Sequence, residues 1–186
     1  MGTISYLKNF LKDPGVASVT PTSRFTIEKV CRNIDFSKDL RIMEYGPADG
    51  VFTRVLLQKM TAGSGIAAIE TNDDFVLSLV SIDDRRLSVF HASAEEAGRI
   101  AKSLDWQNID VIISGIPFSF LDQEVKNNIL QKSWELLSED GMFLGYQTSK
   151  HLESHLKKFF PSVKTEMEYR NIPPMCIYNA SKINGK

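Results

Sequence analysis

Two acidic residues that end short apolar runs lie on either side of a glycine turn. Glu44 ends the largely apolar residues 40–43, and Gly46 and Gly50 follow it closely. Glu70 ends a second apolar run about twenty residues beyond the turn, where open α/β sheets place a carboxylate on ribose hydroxyls. Glycines let the backbone approach a ligand, and Glu44 could accept hydrogen bonds from an amino group. The pattern predicts a site for a cationic, nucleotide-like ligand, although a plain strand-turn-helix joint of another α/β domain would share the glycines.

Strand-like and helix-like segments alternate from residue 40 onward, which places both acids at strand ends. The pattern predicts strands over 40–44, 65–70, 87–91, 109–114, 142–146, 163–169 and 175–179, helices over 73–81, 94–104, 123–137 and 150–160, and a turn over 138–141. The predicted fold class is α/β, with a Rossmann-like, doubly wound, seven-stranded and mostly parallel sheet. Its last two strands should form an antiparallel hairpin at the C-terminal edge.

The length and composition suit one compact domain. The chain has 186 residues, of which 42% are hydrophobic. Residues 1–36 are predicted to form an N-terminal helical segment and residues 37–186 the ligand-binding domain. No apolar run approaches the roughly 20 residues that span a bilayer, and the N-terminus lacks a signal-peptide core, so a cytoplasmic protein is expected. Cys31 and Cys176 are too few for a disulfide framework or a metal site, so no metal is expected, and no obligate protein partner is evident.

The net charge of −1 argues against a strongly basic nucleic-acid binder, but the charge is unevenly distributed. Residues 1–41 carry seven Lys or Arg and four Asp or Glu, and residues 150–186 carry seven and three, whereas the middle of the chain is acidic. Basic ends near the ligand edge would suit an anionic partner, either a phospholipid surface or RNA. Ordinary solvated lysines would explain the counts equally well.

The N-terminal residues show a short amphipathic helical pattern that residues 13–15 should end. The predicted membrane-contact residues are the apolar face of this helix and its two flanking lysines: Ile4, Leu7, Lys8, Phe10, Leu11 and Lys12. Such a helix could lie in a membrane interface, or it could form a lid over the ligand pocket and pack on the core. A lid that opens onto lipid would do both.

The glycine turn and its acids resemble motif I of the class I S-adenosylmethionine-dependent methyltransferases. Three further blocks narrow the resemblance to bacterial phospholipid N-methyltransferases over nearly the whole chain: residues 10–14 with 20–24, residues 44–53, and residues 113–117 with 170–174. Those enzymes methylate the amino headgroup of phosphatidylethanolamine and are peripheral proteins on the inner face of the membrane. The resemblance therefore implies a methyltransferase domain over 37–186, a phospholipid substrate and an anionic membrane surface as partner.

The resemblance also implies the roles of individual residues, with S-adenosylmethionine as cofactor. The implied cofactor-binding residues are Glu44, Gly46, Pro47 and Gly50 at the methionine end, Glu70 at the ribose, Ser93 and Ala94 at the adenine, and Ser114 beside them. The implied residues at the substrate amine are Ser114 and Pro117, with Tyr6, Tyr45 and Tyr146 as candidate headgroup contacts. The sulfonium already carries an activated methyl group, so positioning and exclusion of water suffice and no strong general base is needed.

The loop after the fourth strand separates the lipid hypothesis from its runner-up. Residues 9–13 also resemble ribosomal RNA adenine dimethyltransferases. Adenine-methylating enzymes, however, carry an Asn/Asp-x-Pro-Tyr loop whose amide holds the exocyclic nitrogen and whose ring stacks on the base. Ser114 lacks that amide, whereas Phe118 could stack, so RNA is the less favoured partner. A lipid amine needs only hydrogen-bond acceptors, which Ser114 and nearby carbonyls provide. A small-molecule acceptor is a further alternative.

Three departures from the family pattern support a hypothesis of another class. Ala48 stands where glycine is common, Asp49 where a hydroxyl residue is common, and Ser93 where an acid often holds the adenine amine. Asp49 could repel the carboxylate of the cofactor, or it could turn outward. Weakened cofactor binding would make the chain a membrane-associated cofactor-binding protein without turnover.

Overall fold

The structure, a computed structural model, describes residues 22–183, through which a seven-stranded sheet runs. Its strands are β1 (Arg41–Tyr45), β2 (Gly65–Glu70), β3 (Leu87–His91), β4 (Ile109–Ser114), β5 (Leu137–Gln147), β6 (Ser162–Glu168) and β7 (Met175–Ser181). Their order across the sheet is β3-β2-β1-β4-β5-β7-β6, and β7 alone runs opposite to the other six strands. The predicted fold class is confirmed, including the antiparallel C-terminal hairpin.

The strand order reverses at β1. From there β2 and β3 extend the sheet to one side, and β4 and β5 extend it to the other. Tyr45, the last residue of β1, pairs with Ile69 of β2 and with Ser114 of β4. Open α/β sheets bind ligands outside the carboxyl ends of their strands at such a reversal. The fold therefore brings the ends of β1, β2 and β4 together at the place where a ligand is expected.

The described helices are α1 (Arg24–Cys31), α2 (Val51–Lys59), α3 (Asp73–Val80), α4 (Ala97–Ser103), α5 (Gln123–Leu136) and α6 (Leu152–Leu156). Two of them are shorter than predicted by more than one residue. The first turn of the segment predicted at 94–104 is a 3-10 turn, Ala94–Glu96, which the side chain of Ser93 caps. The helix predicted over 150–160 spans only Leu152–Leu156, and Pro161 keeps Phe160 out of the helical conformation.

The core lies on both faces of the sheet, and the strand alternation decides which side chain faces which layer. Met43 packs on the face covered by α4, α5 and α6, whereas Ile42 packs on the face covered by α1 and α2. Successive side chains of β1 therefore diverge, so that Glu44 lies on the α2 face and Tyr45 on the α5 face.

One predicted turn is accommodated within a strand. Ile109 pairs with Leu137 and Val111 pairs with Met142, so β5 has three more residues than β4 between these pairs. The segment 138–141, predicted as a turn, therefore bulges from β5 instead of preceding it. A Cβ on Gly141 would lie 3.0 Å from the carbonyl oxygen of Ile109, so a larger residue there would have to displace the backbone of β4.

The first described helix is part of the main core. Ile27 and Val30 of α1 are buried beside Ile42 of β1, so residues 22–36 do not form a separate layer. The predicted membrane-contact residues, the candidate Tyr6, and the rest of residues 1–21 lie outside the described residues. Between residues 22 and 183, no helix is long and apolar enough to cross a membrane.

Candidate active site

Backbone hydrogen bonds join the predicted glycine turn to both neighbouring strands. The N–H of Gly46 donates to the carbonyl of Ile69 at 2.9 Å, and the N–H of Gly115 donates to the carbonyl of Tyr45 at 3.0 Å. The turn then closes on itself through a 3.0 Å bond from the N–H of Gly50 to the carbonyl of Pro47. The turn is thereby fixed between the loops that follow β2 and β4, as the sequence predicts for a ligand site.

The conformation of this turn explains its glycines and makes its alanine unusual. Gly46, Ala48 and Gly50 have φ angles of +66°, +51° and +78°. A Cβ on Gly46 would lie 3.2 Å from Ile116 Cγ1, and one on Gly50 would lie 2.9 Å from Leu79 Cδ2. Ala48 adopts the left-handed conformation with a Cβ, at a cost of about 1–2 kcal/mol. Ala48, which stands where glycine is common, therefore has a strained backbone conformation.

Asp49 takes the second of the two orientations expected for it. Its side chain is exposed, and its Oδ1 accepts a 3.3 Å hydrogen bond from the N–H of Val51 at the start of α2. Its carbonyl accepts a 2.8 Å bond from Arg54. The carboxylate thus turns outward and binds the first N–H of α2, whose N-cap residue is Gly50.

Glu44 carries a buried oxygen without a donor. The residue is fully buried, and Oε2 accepts a 2.7 Å hydrogen bond from the hydroxyl of Thr53 on α2. Oε1 is the one buried side-chain nitrogen or oxygen between residues 22 and 183 that lacks a hydrogen-bond partner. Burial raises the pKa of Glu44 from 4.5 to about 7, Thr53 opposes this shift, and the charge of Glu70 adds to it. An ammonium group placed at Oε1 would supply the missing donor and favour the ionised form.

Glu70 holds the turn and the loop after β2 together. Its side chain is almost completely buried. Oε2 accepts a 3.1 Å bond from the N–H of Ala48, and Oε1 accepts bonds of 2.7 and 2.9 Å from the N–H groups of Thr71 and Asn72. A carboxylate has about four lone-pair sites, so it retains capacity for a hydroxyl donor. The predicted contact with a ribose is compatible with this geometry. Glu70 also has a structural role, because it joins the glycine turn to the loop after β2.

The residues predicted at the adenine follow β3. The Oγ of Ser93 accepts a 3.3 Å bond from the N–H of Glu95, and the N–H of Ser93 donates to Glu96 at 3.4 Å, which makes a capping box. Ala94 is buried beside it. The site described for Ser93 is therefore a helix cap, and its contact with an adenine stays a prediction.

The loop after β4 presents backbone groups rather than an aromatic ring at position 118. Ser114 is buried, and its Oγ accepts a 3.3 Å bond from the N–H of Ile116; Pro117 is half-buried. Phe118 is 1% exposed, and its ring packs edge-on against Phe143 at 6.4 Å. The expectation that Phe118 could stack on a flipped base is wrong, because the apolar core between α5 and the sheet holds the ring.

Two of the tyrosines flagged as headgroup contacts have different positions. Tyr45 is fully buried on the α5 face, and its hydroxyl accepts a 3.3 Å bond from Ser133, so the expectation that it touches a ligand is wrong. Tyr146 lies on the α2 face, where its ring stacks on Phe52 with 5.5 Å between centroids. Its hydroxyl lies 2.6 Å from the position that a Cβ of Gly115 would take. Tyr146 therefore lies against the loop that should receive the substrate.

Burial, followed by the charge of Glu44, raises the pKa of Tyr146, and a hydrogen bond with the side chain of Thr22 opposes the shift. Tyr146 therefore stays protonated and can donate a hydrogen bond.

Sequence reasoning missed three positioning residues here: Thr53 on Glu44, Gly115 under Tyr146, and Thr22. Thr53 could have been found, because it lies in the same block as the glycine turn. Among residues 22–183, no three metal-binding side chains cluster.

Solved structures share this fold at low sequence identity. The 1,6-didemethyltoxoflavin-N1-methyltransferase of Burkholderia thailandensis, with bound S-adenosylhomocysteine, aligns with a TM-score of 0.71 at 14% identity over 97% of this chain and 86% of that one. The precorrin-6y C5,15-methyltransferase of Geobacter metallireducens GS-15 aligns with a TM-score of 0.70 at 13% identity over 89% and 92%. The fold is thus the Rossmann-like methyltransferase fold.

The sequence comparison extends this likeness to a lipid-modifying enzyme. No protein-family model matches the chain. A curated relative, the ornithine lipid N-methyltransferase of Singulisphaera acidiphila, is 22% identical over 174 residues, which cover 92% of this chain and 91% of the relative. The prediction of an S-adenosylmethionine-dependent methyltransferase is confirmed at the level of the class. The comparisons do not show the weaker similarity to ribosomal RNA adenine dimethyltransferases.

Proposed function

We propose that this chain transfers the methyl group of S-adenosylmethionine to the primary amine of a membrane lipid. The observation that carries the proposal is the buried, unpartnered Oε1 of Glu44 at the end of β1. A cofactor that carries the ammonium group of an amino acid would give this oxygen the hydrogen-bond donor that it lacks. A carboxylate buried without such a ligand would only destabilise the fold.

The residues at the cofactor end fit S-adenosylmethionine. Glu44 would accept from its ammonium, the glycine turn would lie against its methionine part, and Glu70 would accept from its ribose hydroxyls. Bound there, the cofactor supplies an activated methyl group on a sulfonium. The protein's contribution is to orient the acceptor, to exclude water and to keep the acceptor amine neutral.

Acceptors at the substrate end suit a flexible amine better than a planar base. Ser114 Oγ has one bond from Ile116 and a further lone pair, and the backbone carbonyls of the same loop are hydrogen-bond acceptors. Tyr146 can donate to a neighbouring acceptor of the headgroup. Phe118 is buried, so its ring cannot stack on an adenine. The methylated amine is formed as an ammonium and can release its proton to solvent as the product leaves, since no strong base is required.

The lipid headgroup is the finer part of the proposal. The curated relative is named for an ornithine lipid, whereas the motifs resemble enzymes of phosphatidylethanolamine. Both headgroups present a primary amine on a flexible chain. We therefore propose an amino-bearing lipid as the substrate class, with Ser114 and Pro117 positioning the amine. Attachment to the inner face of an anionic membrane through residues 4–12 stays a prediction.

Methyl transfer from labelled cofactor to separate acceptor pools tests the proposal. The pools are ornithine lipid and phosphatidylethanolamine in vesicles, phosphatidylglycerol vesicles without an amine, ribosomal RNA, and soluble primary amines. We expect label in one or both amino lipids and none in the amine-free vesicles. Label in RNA or in the soluble amines, with none in either amino lipid, would contradict the lipid proposal. Cofactor binding by calorimetry without label in any pool would favour a binding protein without turnover.

A further inference from the structure

The turn between β6 and β7 carries strongly exposed hydrophobic side chains. We call residues 169–174 the β6–β7 turn. Tyr169 is 74% exposed and Ile172 is 80% exposed, the two highest values among the large hydrophobic side chains of residues 22–183. Pro173 and Pro174, which complete the tip, are also exposed. Exposed apolar side chains grouped at one tip indicate a surface that meets an apolar partner.

The tip is held in place from below. Asn171 is fully buried, and its Oδ1 accepts bonds of 3.0 Å from both the N–H of Ser23 and the hydroxyl of Thr26. Its Nδ2 donates to the carbonyl of Pro173 at 2.8 Å. Asn171, next to Ile172, is thus held by hydrogen bonds to α1 and to Pro173. Ile172 is exposed because these bonds fix the conformation of the turn.

Two guanidinium groups border the apolar tip. Arg170 lies 4.3 Å from the ring centre of Phe25, and Arg24 lies 4.9 Å from the same ring. Glu168 pairs with Arg170 through both oxygens, but it is 4% exposed and lies beneath it. Glu28 of α1, which is exposed, is the second acid whose charge acts on Arg170. An aromatic and aliphatic tip with arginines at its border matches the interfacial zone of a bilayer, where chains bury apolar parts and keep cations at the headgroups.

The tip lies at the edge of the sheet that carries the candidate site. Cys176, two residues after the turn, pairs with Gln147 at the end of β5, and Gly145 of β5 pairs with Ser114. The 21 residues that precede Thr22 carry Lys8, Lys12 and the apolar face predicted for membrane contact. They join the described chain at the segment that Asn171 binds.

We propose that the β6–β7 turn docks on the lipid bilayer, with Tyr169 and Ile172 inserted into the interface and Arg24 and Arg170 at the headgroups. The orientation that results places the ends of β1 and β4 toward the membrane. The role of this docking in catalysis rests on the proposed function, because an enzyme that acts on a lipid amine must turn the carboxyl ends of β1 and β4 toward the bilayer.

Vesicle binding by a paired set of variants tests the docking surface. Vesicles of phosphatidylcholine and phosphatidylglycerol contain no primary amine, so they measure docking without substrate recognition. Tyr169→Ser with Ile172→Ser should reduce partitioning onto these vesicles by about tenfold or more, because two exposed side chains lose their transfer free energy. The matched control is Leu77→Ser with Val80→Ser on α3, whose side chains are 70% and 64% exposed. The control should bind like the unmodified protein.

A depth measurement adds an independent readout. Tryptophan placed by Tyr169→Trp should be quenched by lipids brominated in their acyl chains, whereas tryptophan placed by Leu77→Trp should not. Equal partitioning of the serine pair and the unmodified protein, absence of binding by the unmodified protein, or equal quenching at both tryptophans would each overturn the proposal.

The two proposals can fail separately. A short-chain amino lipid dissolved as monomers needs no docking, so Tyr169→Ser with Ile172→Ser should still methylate it at the unmodified rate. If the unmodified protein methylates that lipid while the serine pair keeps full vesicle binding, the docking surface is wrong and the proposed function stands. If vesicle binding falls in the serine pair but no amino lipid is methylated, the proposed function is wrong and the docking surface stands.

Discussion

The hydroxyl of Thr53 donates a 2.7 Å hydrogen bond to one carboxylate oxygen of Glu44, while the other oxygen has no donor among residues 22–183. The bond fixes the plane of the carboxylate from α2, the helix that begins at the glycine turn. The free oxygen is thereby oriented before any ligand arrives, at the cost of a buried and incompletely paired acid.

Replacing Glu44 by glutamine should separate ligand binding from stability. Glu44→Gln keeps the shape and an acceptor for Thr53 but removes the charge. We expect cofactor affinity, measured by titration calorimetry, to fall by about tenfold to a hundredfold. We expect the free energy of unfolding of the ligand-free protein at pH 8 to rise by about 1–3 kcal/mol. Unchanged affinity would show that Glu44 does not contact the cofactor.

The ligand-free protein should lose stability as pH rises toward neutrality. The pKa of Glu44 is raised from 4.5 to about 7 by burial, so the folded state holds this proton more tightly than the unfolded state. The stabilisation is complete below about pH 4.5 and is lost as pH rises through about 7, with a total on the order of 3 kcal/mol. Urea denaturation across this window measures it. Glu44→Gln, which does not titrate, should remove this part of the slope.

Replacing Glu70 by alanine should affect both binding and folding. The change removes the predicted ribose contact, so cofactor affinity should fall roughly tenfold or more. It also leaves the N–H groups of Ala48, Thr71 and Asn72 without their acceptor, which should lower the free energy of unfolding by about 1–3 kcal/mol. Glu70→Gln retains an acceptor oxygen and should lose less stability. Full cofactor affinity in Glu70→Ala would refute the ribose assignment.

Replacing Ala48 by glycine should stabilise the turn. Ala48 has a φ of +51°, which glycine adopts without the penalty of a Cβ. Because glycine also loses more entropy on folding, we expect a net gain of up to about 1 kcal/mol in the free energy of unfolding. Chemical denaturation provides the measurement. The control Ala101→Gly, inside α4, should instead destabilise by about 1 kcal/mol, and a loss of similar size in Ala48→Gly would contradict the strain.

Gly115 and Tyr146 should be energetically coupled. A Cβ on Gly115 would lie 2.6 Å from the Tyr146 hydroxyl and 2.9 Å from its Cζ, so Gly115→Ala must displace the ring. We expect slower methyl transfer and a loss of about 1–3 kcal/mol in the free energy of unfolding. Tyr146→Phe removes the hydroxyl, so the double variant should recover part of this loss. Strictly additive effects in the double-mutant cycle would rule out the contact.

The sequence predicts local features of this protein better than it predicts contacts between distant segments. The strand ends at Glu44 and Glu70 follow from apolar runs and a glycine turn, which are local patterns. The position of Phe118 depends on how α5 packs over the sheet, and the residue types of the loop alone favour an exposed ring. The bond between Thr26 and Asn171 joins residues 145 positions apart, and no local pattern indicates it.

The hydrogen bond between Ser23 and Asn171 also bears on the order in which the molecule is assembled. Ser23 caps α1, yet the side chain that accepts from its N–H lies 148 positions later. During synthesis, α1 leaves the ribosome first among the described elements but must wait for the β6–β7 hairpin before its start can be fixed, because contacts between distant residues form late. The start of α1, the first described helix to be synthesised, is thus among the last parts of the fold to form its native contacts. A nascent chain arrested before residue 171 would keep this edge of the protein open, and completion of the hairpin would close it.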